Sequence, residues 1–294
     1  MAEGREGRHV SPSRERLFAT CTRGLEPALE AEAKALGFST HAVSCGVELE
    51  GARGSHRQAN LWLRTASSVA RVEGKRRVDT SGELLYFRGY RQEIGRAPLR
   101  ETLAAGMLLL ARWEPSREAL WDPMCGSGTI LAEAALMAQG KAPGAQRRFA
   151  FENEPGHDSK AWATEPRTKG TAHKPLLLGT DLNAGALGTA RRNARRAGVL
   201  ELLTLERLDA TKLPAKPGPG LVISNLPYGK RVGERSELAS LYSAFGASLR
   251  KAAAGWRFAF LLKDHPDALG LKIDATHALD NGGLSCSLVT GVIG

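Results

Sequence analysis

Apolar and polar positions follow a regular pattern over the second half of the chain. Short apolar runs that suit buried strands alternate with segments whose apolar residues recur every three or four positions, as in amphipathic helices. Strands that alternate with helices form right-handed βαβ units. We therefore predict an α/β domain with a doubly wound Rossmann-like sheet over residues 118–294. Its strand-like runs are ALWD, LLLGTD, LLTLERLD, LVISN, RFAFLLKD and CSLVTGVI, and its helix-like segments include ILAEAALMAQG, AGALGTARRNARRAGV and LASLYSAFGASLRKA.

The first part of the chain has a different arrangement. Residues 1–16 are polar and basic, which predicts a flexible tail. Residues 17–77 contain two strand-and-helix combinations, LFATCTRGLEPALEAEAKALGF and ANLWLRTASSVARVEG, with the strand-like GVELEG between them. The apolar residues of the first combination recur at helical spacing at Leu25, Leu29, Ala33 and Leu36. This pattern predicts a small α+β unit.

Two connecting segments differ from their surroundings. Residues 78–117 predict a linker and then a helix that starts at Pro98, because proline suits the first helical position. The predicted face of that helix comprises Leu99, Leu103, Met107 and Leu110. Residues 141–174 are rich in Gly, Pro, Lys and Arg and interrupt the strand-helix alternation. We interpret them as an insertion that lies over the active face.

The overall charge is strongly basic. The chain of 294 residues has a formal net charge of +10 and a pI of about 9.7. A basic surface attracts polyanions, and the neutralisation of phosphates releases counterions from nucleic acid. RNA or DNA is therefore the expected partner. The alternative is that an arginine-rich composition serves solubility alone.

The remaining composition predicts a cytoplasmic protein. Cys21, Cys45, Cys125 and Cys286 contain no C-x-x-C pair, which argues against a zinc site or a disulfide framework, and no metal is expected. The polar N-terminus has no apolar core of a signal peptide, and no stretch is apolar enough to span a bilayer.

A glycine loop follows the first strand of the α/β domain. Trp121-Asp122 is followed by PMCGSGT, which opens a helix and lets backbone approach a ligand closely. A tight turn of purely structural role is the alternative. The acid before the loop favours S-adenosylmethionine, because Asp122 would attract its cationic methionyl end and repel a dinucleotide pyrophosphate. The loop residues of the predicted cofactor site are Pro123, Cys125, Gly126, Gly128 and Thr129.

Two further carboxylates follow later strands of the sheet. Asp181 ends LLLGTD, where it could bind both ribose hydroxyls of a cofactor, or simply cap the next helix. Asp209 follows LTLERL and could accept the adenine amine, although alone it resembles an ordinary turn residue. Leu182 and Ala210 would then flank the adenine ring. The order of these acids along the strands supports the cofactor interpretation.

The segment Asn225-Leu226-Pro227-Tyr228 ends the fourth strand and carries the predicted catalytic chemistry. The amide oxygen of Asn225 and the carbonyl of Leu226 can both accept hydrogen bonds from one –NH₂ group. Two acceptors draw the nitrogen lone pair out of conjugation and aim it at a methyl donor. Tyr228 can stack on the base, Pro227 restricts the backbone, and Asn225 can also border the cofactor. A Pro-Tyr-Gly turn without catalytic role is the alternative.

DPMCGSGT, GTDLNAGALGTARRNARRAGV and NLPYGKRVG, in this order, resemble the THUMP-associated RNA guanine-N2 methyltransferases. FATCTRGLEPALEAEAKALGF and SGELLYFRGYR are also similar to that family's N-terminal and linker segments. The resemblance implies a class I methyltransferase fold, a ferredoxin-like N-terminal unit, S-adenosylmethionine as cofactor and rRNA or tRNA as substrate. It also implies that the acids and the glycine loop bind the cofactor, and that residues 225–228 clamp the target amine.

The chain departs from that family in two respects. Only a few residues separate Val72 from Ser81, so most of the RNA-binding THUMP module expected at this point is missing. Leu226 replaces the first proline of the commoner Asn-Pro-Pro-Tyr tetrad. We therefore expect the chain to rely on other basic residues, and on a protein partner or a partly assembled ribosomal particle.

Basic residues near the predicted site are candidates for contacts with RNA phosphates. They are Lys230, Arg231, Arg88, Arg91, Arg147 and Arg148, with Lys160, Arg167 and Lys169 in the insertion. Arg88 and Arg91 could instead pair with carboxylates at the edge of the core. The leading hypothesis is methylation of guanine N2 in 23S rRNA or tRNA. The alternatives are a DNA or protein-glutamine amino methyltransferase, and an inactive nucleic-acid-binding relative.

Overall fold

The structure is a computed structural model that describes residues 14–93, 99–170, 172–216, 218–228 and 235–294. Two sheets organise it. The strands are β1 (Arg14–Cys21), β2 (Ser39–Val43), β3 (Gly46–Ala52), β4 (Ala66–Glu73), β5 (Arg76–Asp79), β6 (Ala119–Asp122), β7 (Leu177–Asp181), β8 (Leu203–Arg207), β9 (Gly220–Asn225), β10 (Arg257–Leu262), β11 (Ala275–Asn281) and β12 (Leu284–Val292). The helices are α1 (Glu26–Ala35), α2 (His56–Trp62), α3 (Glu101–Leu110), α4 (Thr129–Ala138), α5 (Ser159–Ala163), α6 (Ala184–Arg196) and α7 (Arg235–Ala252). Among the described helices, none is both long and apolar enough to cross a membrane.

The N-terminal sheet has the strand order β2-β3-β1-β4-β5, and each pair of neighbouring strands in it is antiparallel. Its first four strands and α1 and α2 follow one another as βαββαβ, which is the ferredoxin-like arrangement. The prediction of a flexible tail over residues 1–16 is wrong for its last three residues, because β1 begins at Arg14, which pairs with Ala52 of β3. Residues 1–13 lie outside the described residues. The predicted end of the unit at residue 77 is wrong as well. Arg76–Asp79 forms the edge strand β5, so the unit extends to Asp79.

The second sheet has the order β11-β12-β10-β9-β6-β7-β8. Strands β8, β7, β6, β9 and β10 pair in parallel, and β12 pairs antiparallel with both β10 and β11. The carboxyl ends of β6, β7 and β9 therefore meet at one edge of the sheet. In an open α/β sheet the crevice at this edge is where ligands bind.

The two sheets share one apolar core. Leu25 and Leu29 of the N-terminal unit belong to the same buried cluster as Leu103 of α3 and Leu131 of α4. Gly24 shows how closely the units approach, because a Cβ added to it would lie 2.0 Å from the carbonyl oxygen of Ala278 in β11. Its φ of +92° also favours glycine. The N-terminal unit is therefore docked tightly on the second sheet.

The insertion packs on the N-terminal unit, and the prediction that it lies over the active face is wrong. The amide of Gly144 donates to the carbonyl of Leu61 at 3.0 Å, and the amide of Phe151 donates to that of Thr80 at 3.3 Å. The buried rings of Phe149, Phe151 and Trp162 form the apolar centre of the insertion. Aromatic burial therefore directs this segment to α2 and the adjacent strands rather than to the carboxyl edge of the sheet.

Candidate active site

A cavity of about 570 Å³ lies at the carboxyl edge of the second sheet. The glycine loop after β6, the ends of β7 and β9, and the turn after β8 contribute to its walls. Its lining includes most of the predicted cofactor residues, namely Asp122, Pro123, Cys125, Gly126, Thr129, Asp181, Leu182, Asp209, Ala210 and Asn225, together with Pro227. The fold thus brings together acids that are far apart in the sequence.

The glycine loop is tied to β7 and pressed against α6. The amide of Gly126 donates to Oδ2 of Asp181 at 2.9 Å. Gly128 precedes α4 with a φ of +78°, and an added Cβ would lie 2.9 Å from that of Ala190. A larger residue at position 128 would therefore strain the backbone and push α6 away. Glycine here lets the loop turn sharply beside the cavity.

Asp122 is a buried carboxylate that borders the cavity. Burial raises its pKa to about 7, and the neighbouring charge of Asp181 acts in the same direction. Two hydrogen bonds oppose this rise, from Oγ of Ser224 at 2.7 Å and from the amide of Met124 at 3.3 Å. A cationic ligand group in the cavity would favour the ionised form of this carboxyl. Its placement is therefore suited to a ligand that carries an ammonium group.

Asp181 connects the loop and the start of α6. Its Oδ2 accepts the bond from Gly126, and its Oδ1 accepts one from the amide of Asn183 at 2.8 Å. The residue that caps α6 is Asn183, whose Oδ1 accepts from the amides of Gly185 and Ala186. Asp181 is therefore not the helix cap, and each of its oxygens retains acceptor capacity toward the cavity.

The turn after β8 supplies the third acid. Oδ1 of Asp209 accepts from the hydroxyl of Thr211 at 2.7 Å and from its amide at 2.9 Å, and these two bonds lower the pKa of Asp209. Ala210 beside it is buried, whereas the side chain of Leu182 is 60% exposed although it borders the cavity. Leu182 and Ala210 both line the cavity, so they give its wall apolar surface beside Asp209.

Asn225 carries the least satisfied polar atom of the site. Its Oδ1 is buried, and no hydrogen-bond donor reaches it from the part of the chain that the structure describes. A buried acceptor without a partner loses its hydration at a cost of about 1–3 kcal/mol. Because Asn225 also lines the cavity, we expect a donor group of a bound ligand to be the partner of this oxygen.

The rest of the 225–228 segment is held from two sides. The amide of Leu226 donates to the carbonyl of Leu261 in β10 at 2.9 Å, and the Leu226 side chain is fully buried. The hydroxyl of Tyr242 in α7 donates to the carbonyl of Pro227 at 2.8 Å. Tyr228 is half-buried against the core, and its hydroxyl accepts a hydrogen bond from Nδ2 of Asn281. These contacts restrict the segment that presents Asn225.

The structure corrects the predicted RNA contacts of Arg88 and Arg91. Arg88 is 2% exposed, donates to the carbonyl of Leu85 at 2.6 Å and lies 3.5 Å from a carboxylate oxygen of Glu133. Arg91 lies 3.0 Å from Glu101. Both guanidinium groups therefore pair with buried carboxylates of α4 and α3, which is the alternative that the sequence left open, and neither is available to a phosphate.

The other predicted RNA contacts have mixed placements. Arg147 donates to the carbonyls of Leu84 and Glu83, and so it fixes the linker instead of extending into solvent. Arg148 is exposed. Lys230 and Arg231 lie outside the described residues.

Sequence reasoning missed several residues that complete the cavity. Ser224 buttresses Asp122, and the walls also include Leu99, Met124, Asn183, Thr189 and Leu241. Ser224 stands one position before Asn225, so its place at the end of the strand could have indicated a role beside the site. Leu99 and Leu241 come from the linker and α7, and no local pattern assigns them to this cavity.

Comparison with known proteins gives two family matches, one to each part of the chain. Residues 16–70 match the RlmL ferredoxin-like domain, and residues 88–288 match the family described as RMKL-like, methyltransferase domain. The chain is 39% identical over 244 residues to the ribosomal RNA large subunit methyltransferase K/L of Shewanella sp. strain MR-4. That alignment covers 75% of this chain but 34% of the relative, so the chain spans about a third of its length.

Solved structures with the same architecture cover nearly the whole chain. A possible methylase from Clostridium difficile 630 aligns with a TM-score of 0.86 and 25% identity, over 96% of this chain and 99% of that one. SMU.472, a protein complexed with SAH, aligns with a TM-score of 0.86 and 23% identity, over 95% of this chain and 98% of that one. These matches confirm the predicted doubly wound sheet and the ferredoxin-like unit.

Proposed function

The chain belongs to the RMKL-like methyltransferase-domain family, and from this premise we propose that it methylates the exocyclic N2 amine of guanine in 23S rRNA. Its fold is that of the class I methyltransferases, as the resemblance implied. The large-subunit rRNA methyltransferases among its relatives favour rRNA over tRNA as the substrate. A ribosomal particle or a protein partner belongs to the same proposal.

The single observation that carries the proposal is the unpartnered Oδ1 of Asn225. This atom is a buried acceptor, and it belongs to a residue that lines the cavity. The N2 amine of guanine has two protons and no strong acceptor of its own. One of its protons would satisfy the Asn225 oxygen, which would leave the nitrogen lone pair oriented for transfer. The hydrogen bonds of Leu226 and Pro227 hold the acceptor in place beforehand.

The residues of the cavity fit S-adenosylmethionine. Asp122 would hold its cationic methionyl end, Asp181 its ribose hydroxyls, and Asp209 its adenine amine between Leu182 and Ala210. When bound, this cofactor supplies a methyl group that is already activated by its sulfonium. The chain therefore has no need of a strong general base, and its own contribution is orientation and the placement of an acceptor.

Nucleoside mass spectrometry tests the proposal directly. The protein and S-adenosylmethionine are incubated with large-subunit rRNA from a strain that lacks the corresponding gene, and the digested nucleosides are analysed. We expect N2-methylguanosine with the wild-type protein and none with Asn225→Ala. Methylation of DNA or of a protein glutamine in parallel reactions, without any N2-methylguanosine, would contradict the proposal.

A further inference from the structure

A second cavity lies between the N-terminal unit and the insertion. It has a volume of about 580 Å³ and shares no lining residue with the active site. Its sides come from β1, the turn between β3 and α2, the end of β4, and residues 151 and 154–157 of the insertion. We call this cavity the basic groove, because Arg16, Arg53 and Arg57 stand around it.

The acidic side chains in the basic groove are already paired. Glu15 accepts bonds from the amide and Nδ1 of His56, each at 2.9 Å. Burial opposes ionisation of Glu15, but these bonds outweigh it and lower its pKa. Glu154 receives two hydrogen bonds from the guanidinium of Arg71, at 2.7 and 3.0 Å, and Glu73 lies 3.4 Å from Arg71 Nε. The five arginines of the lining outnumber its three carboxylates, so the groove keeps an excess of two positive charges.

Three arginines of the groove make no direct pair with an acid. Within the described ranges, Arg16, Arg53 and Arg57 form no ion pair and no side-chain hydrogen bond. The Nε of Arg57 is buried, and no acceptor among the described residues reaches it. A buried donor without a partner is costly, so this N–H calls for an acceptor from outside the described structure.

A phosphate group suits these donors. A guanidinium offers paired N–H groups whose spacing matches two phosphate oxygens. The buried ring of Phe151, edge-on to His56 at 5.2 Å, gives the groove a rigid base. The arginines therefore surround a preformed depression rather than a mobile loop.

The groove includes part of the short segment that joins the regions of the two family matches. Only residues 71–87 separate them, and Arg71 and Glu73 belong both to that segment and to the groove. We propose that the basic groove binds the phosphate backbone of the substrate RNA at a distance from the target base. This inference rests on the proposed function, because the choice of RNA over another polyanion follows from it.

A charge-matched comparison tests the groove. The test variant is Arg16→Gln, Arg53→Gln and Arg57→Gln in the full chain. The control variant, Arg117→Gln, Lys251→Gln and Lys272→Gln, removes three exposed cations that line neither cavity. Binding to protein-free large-subunit rRNA is measured across a salt series, and polyglutamate serves as a second polyanion. Adenosylhomocysteine affinity and thermal unfolding report on the fold.

We expect the test variant to bind rRNA at least tenfold more weakly than the control at low salt, with a salt slope lower by about 2–3, since each phosphate contact contributes about 0.7–0.9. The variant Arg16→Lys, Arg53→Lys and Arg57→Lys should recover most of the salt slope. Equal slopes in the test and control variants would overturn the proposal. Loss of polyglutamate binding with rRNA binding intact would also overturn it and would favour an acidic protein as the occupant. Because binding is measured without methyl transfer, a failure of the proposed catalytic function would remain distinguishable.

Discussion

Ser224 Oγ donates a hydrogen bond of 2.7 Å to Oδ1 of Asp122, from β9 to the adjacent β6. This bond stabilises the ionised carboxyl in a buried position where the pKa is about 7. The cofactor affinity of the protein should therefore respond to pH near neutrality, and Ser224 should control where that response occurs.

The first prediction concerns this pH dependence. In its proposed role the Asp122 carboxylate attracts the ammonium of the cofactor, so the affinity for adenosylhomocysteine should rise by about tenfold between pH 6 and 8 as Asp122 loses its proton. Ser224→Ala removes a donor to the ionised form and should move the midpoint to higher pH. Isothermal titration calorimetry over this range measures both, and Asp122→Asn, which cannot ionise, is the control that should show little pH dependence.

The same pKa has a consequence for the stability of the free protein. The folded-state pKa is raised above the unfolded value, so the folded state binds more protons between about pH 4 and 7. The free energy of unfolding contributed by this group should then fall as pH rises through that window. Asp122→Asn should abolish the fall, and denaturant titrations at pH 5 and 8 would reveal it. An Asp122→Asn protein with the wild-type pH dependence would count against the assigned pKa.

The second prediction separates cofactor binding from loop support at Asp181. Asp181→Ala removes the acceptor of the Gly126 amide and the proposed acceptor of the ribose hydroxyls. We expect adenosylhomocysteine to bind at least tenfold more weakly. Asn183→Ala is the matched control, since it removes the helix cap and should lower stability by about 1 kcal/mol with a smaller effect on affinity. Unchanged affinity in Asp181→Ala would refute the assignment.

The third prediction concerns the acceptor in the 225–228 segment. Asn225→Ala should lower the single-turnover rate by about 100-fold or more with near-normal cofactor affinity, because the lost contact acts on the amine during transfer. Tyr228→Phe keeps the ring and removes only the hydroxyl that Asn281 contacts. It should retain most of the rate, whereas Tyr228→Ala should impair RNA use. A wild-type rate in Asn225→Ala would exclude the proposed role of its oxygen.

The fourth prediction distinguishes the structural role of Arg88 from an RNA contact. Arg88→Ala leaves Glu133 in the core without one of its two arginine neighbours, and removing one partner of a buried pair costs about 3–5 kcal/mol. Arg148→Ala, at an exposed position, should change stability by less than about 0.5 kcal/mol. Chemical denaturation measures the difference. A fully stable Arg88→Ala protein with weakened rRNA binding would restore the original hypothesis.

The sequence was sufficient for the parallel strands and for the acids at their ends. Asp122, Asp181 and Asp209 follow apolar runs, and the carboxyl ends of parallel strands meet by geometry alone. It was insufficient where an element depends on its neighbours. The polar RRVD segment forms β5 only because β4 offers it an edge, and ATHALDN forms β11 because it pairs with β12. Likewise, the carboxylates that pair with Arg88 and Arg91 lie on helices more than nine residues away in the chain.

The contact of Gly24 with the carbonyl of Ala278 determines how the two halves of the molecule behave mechanically. A glycine pressed against backbone, within a core shared by both sheets, opposes a hinge motion between them. The basic groove and the catalytic cavity are therefore held at a constant separation. An RNA that occupies both sites must place a backbone phosphate at that distance from the target guanine. The protein would then select its substrate by this distance as well as by sequence.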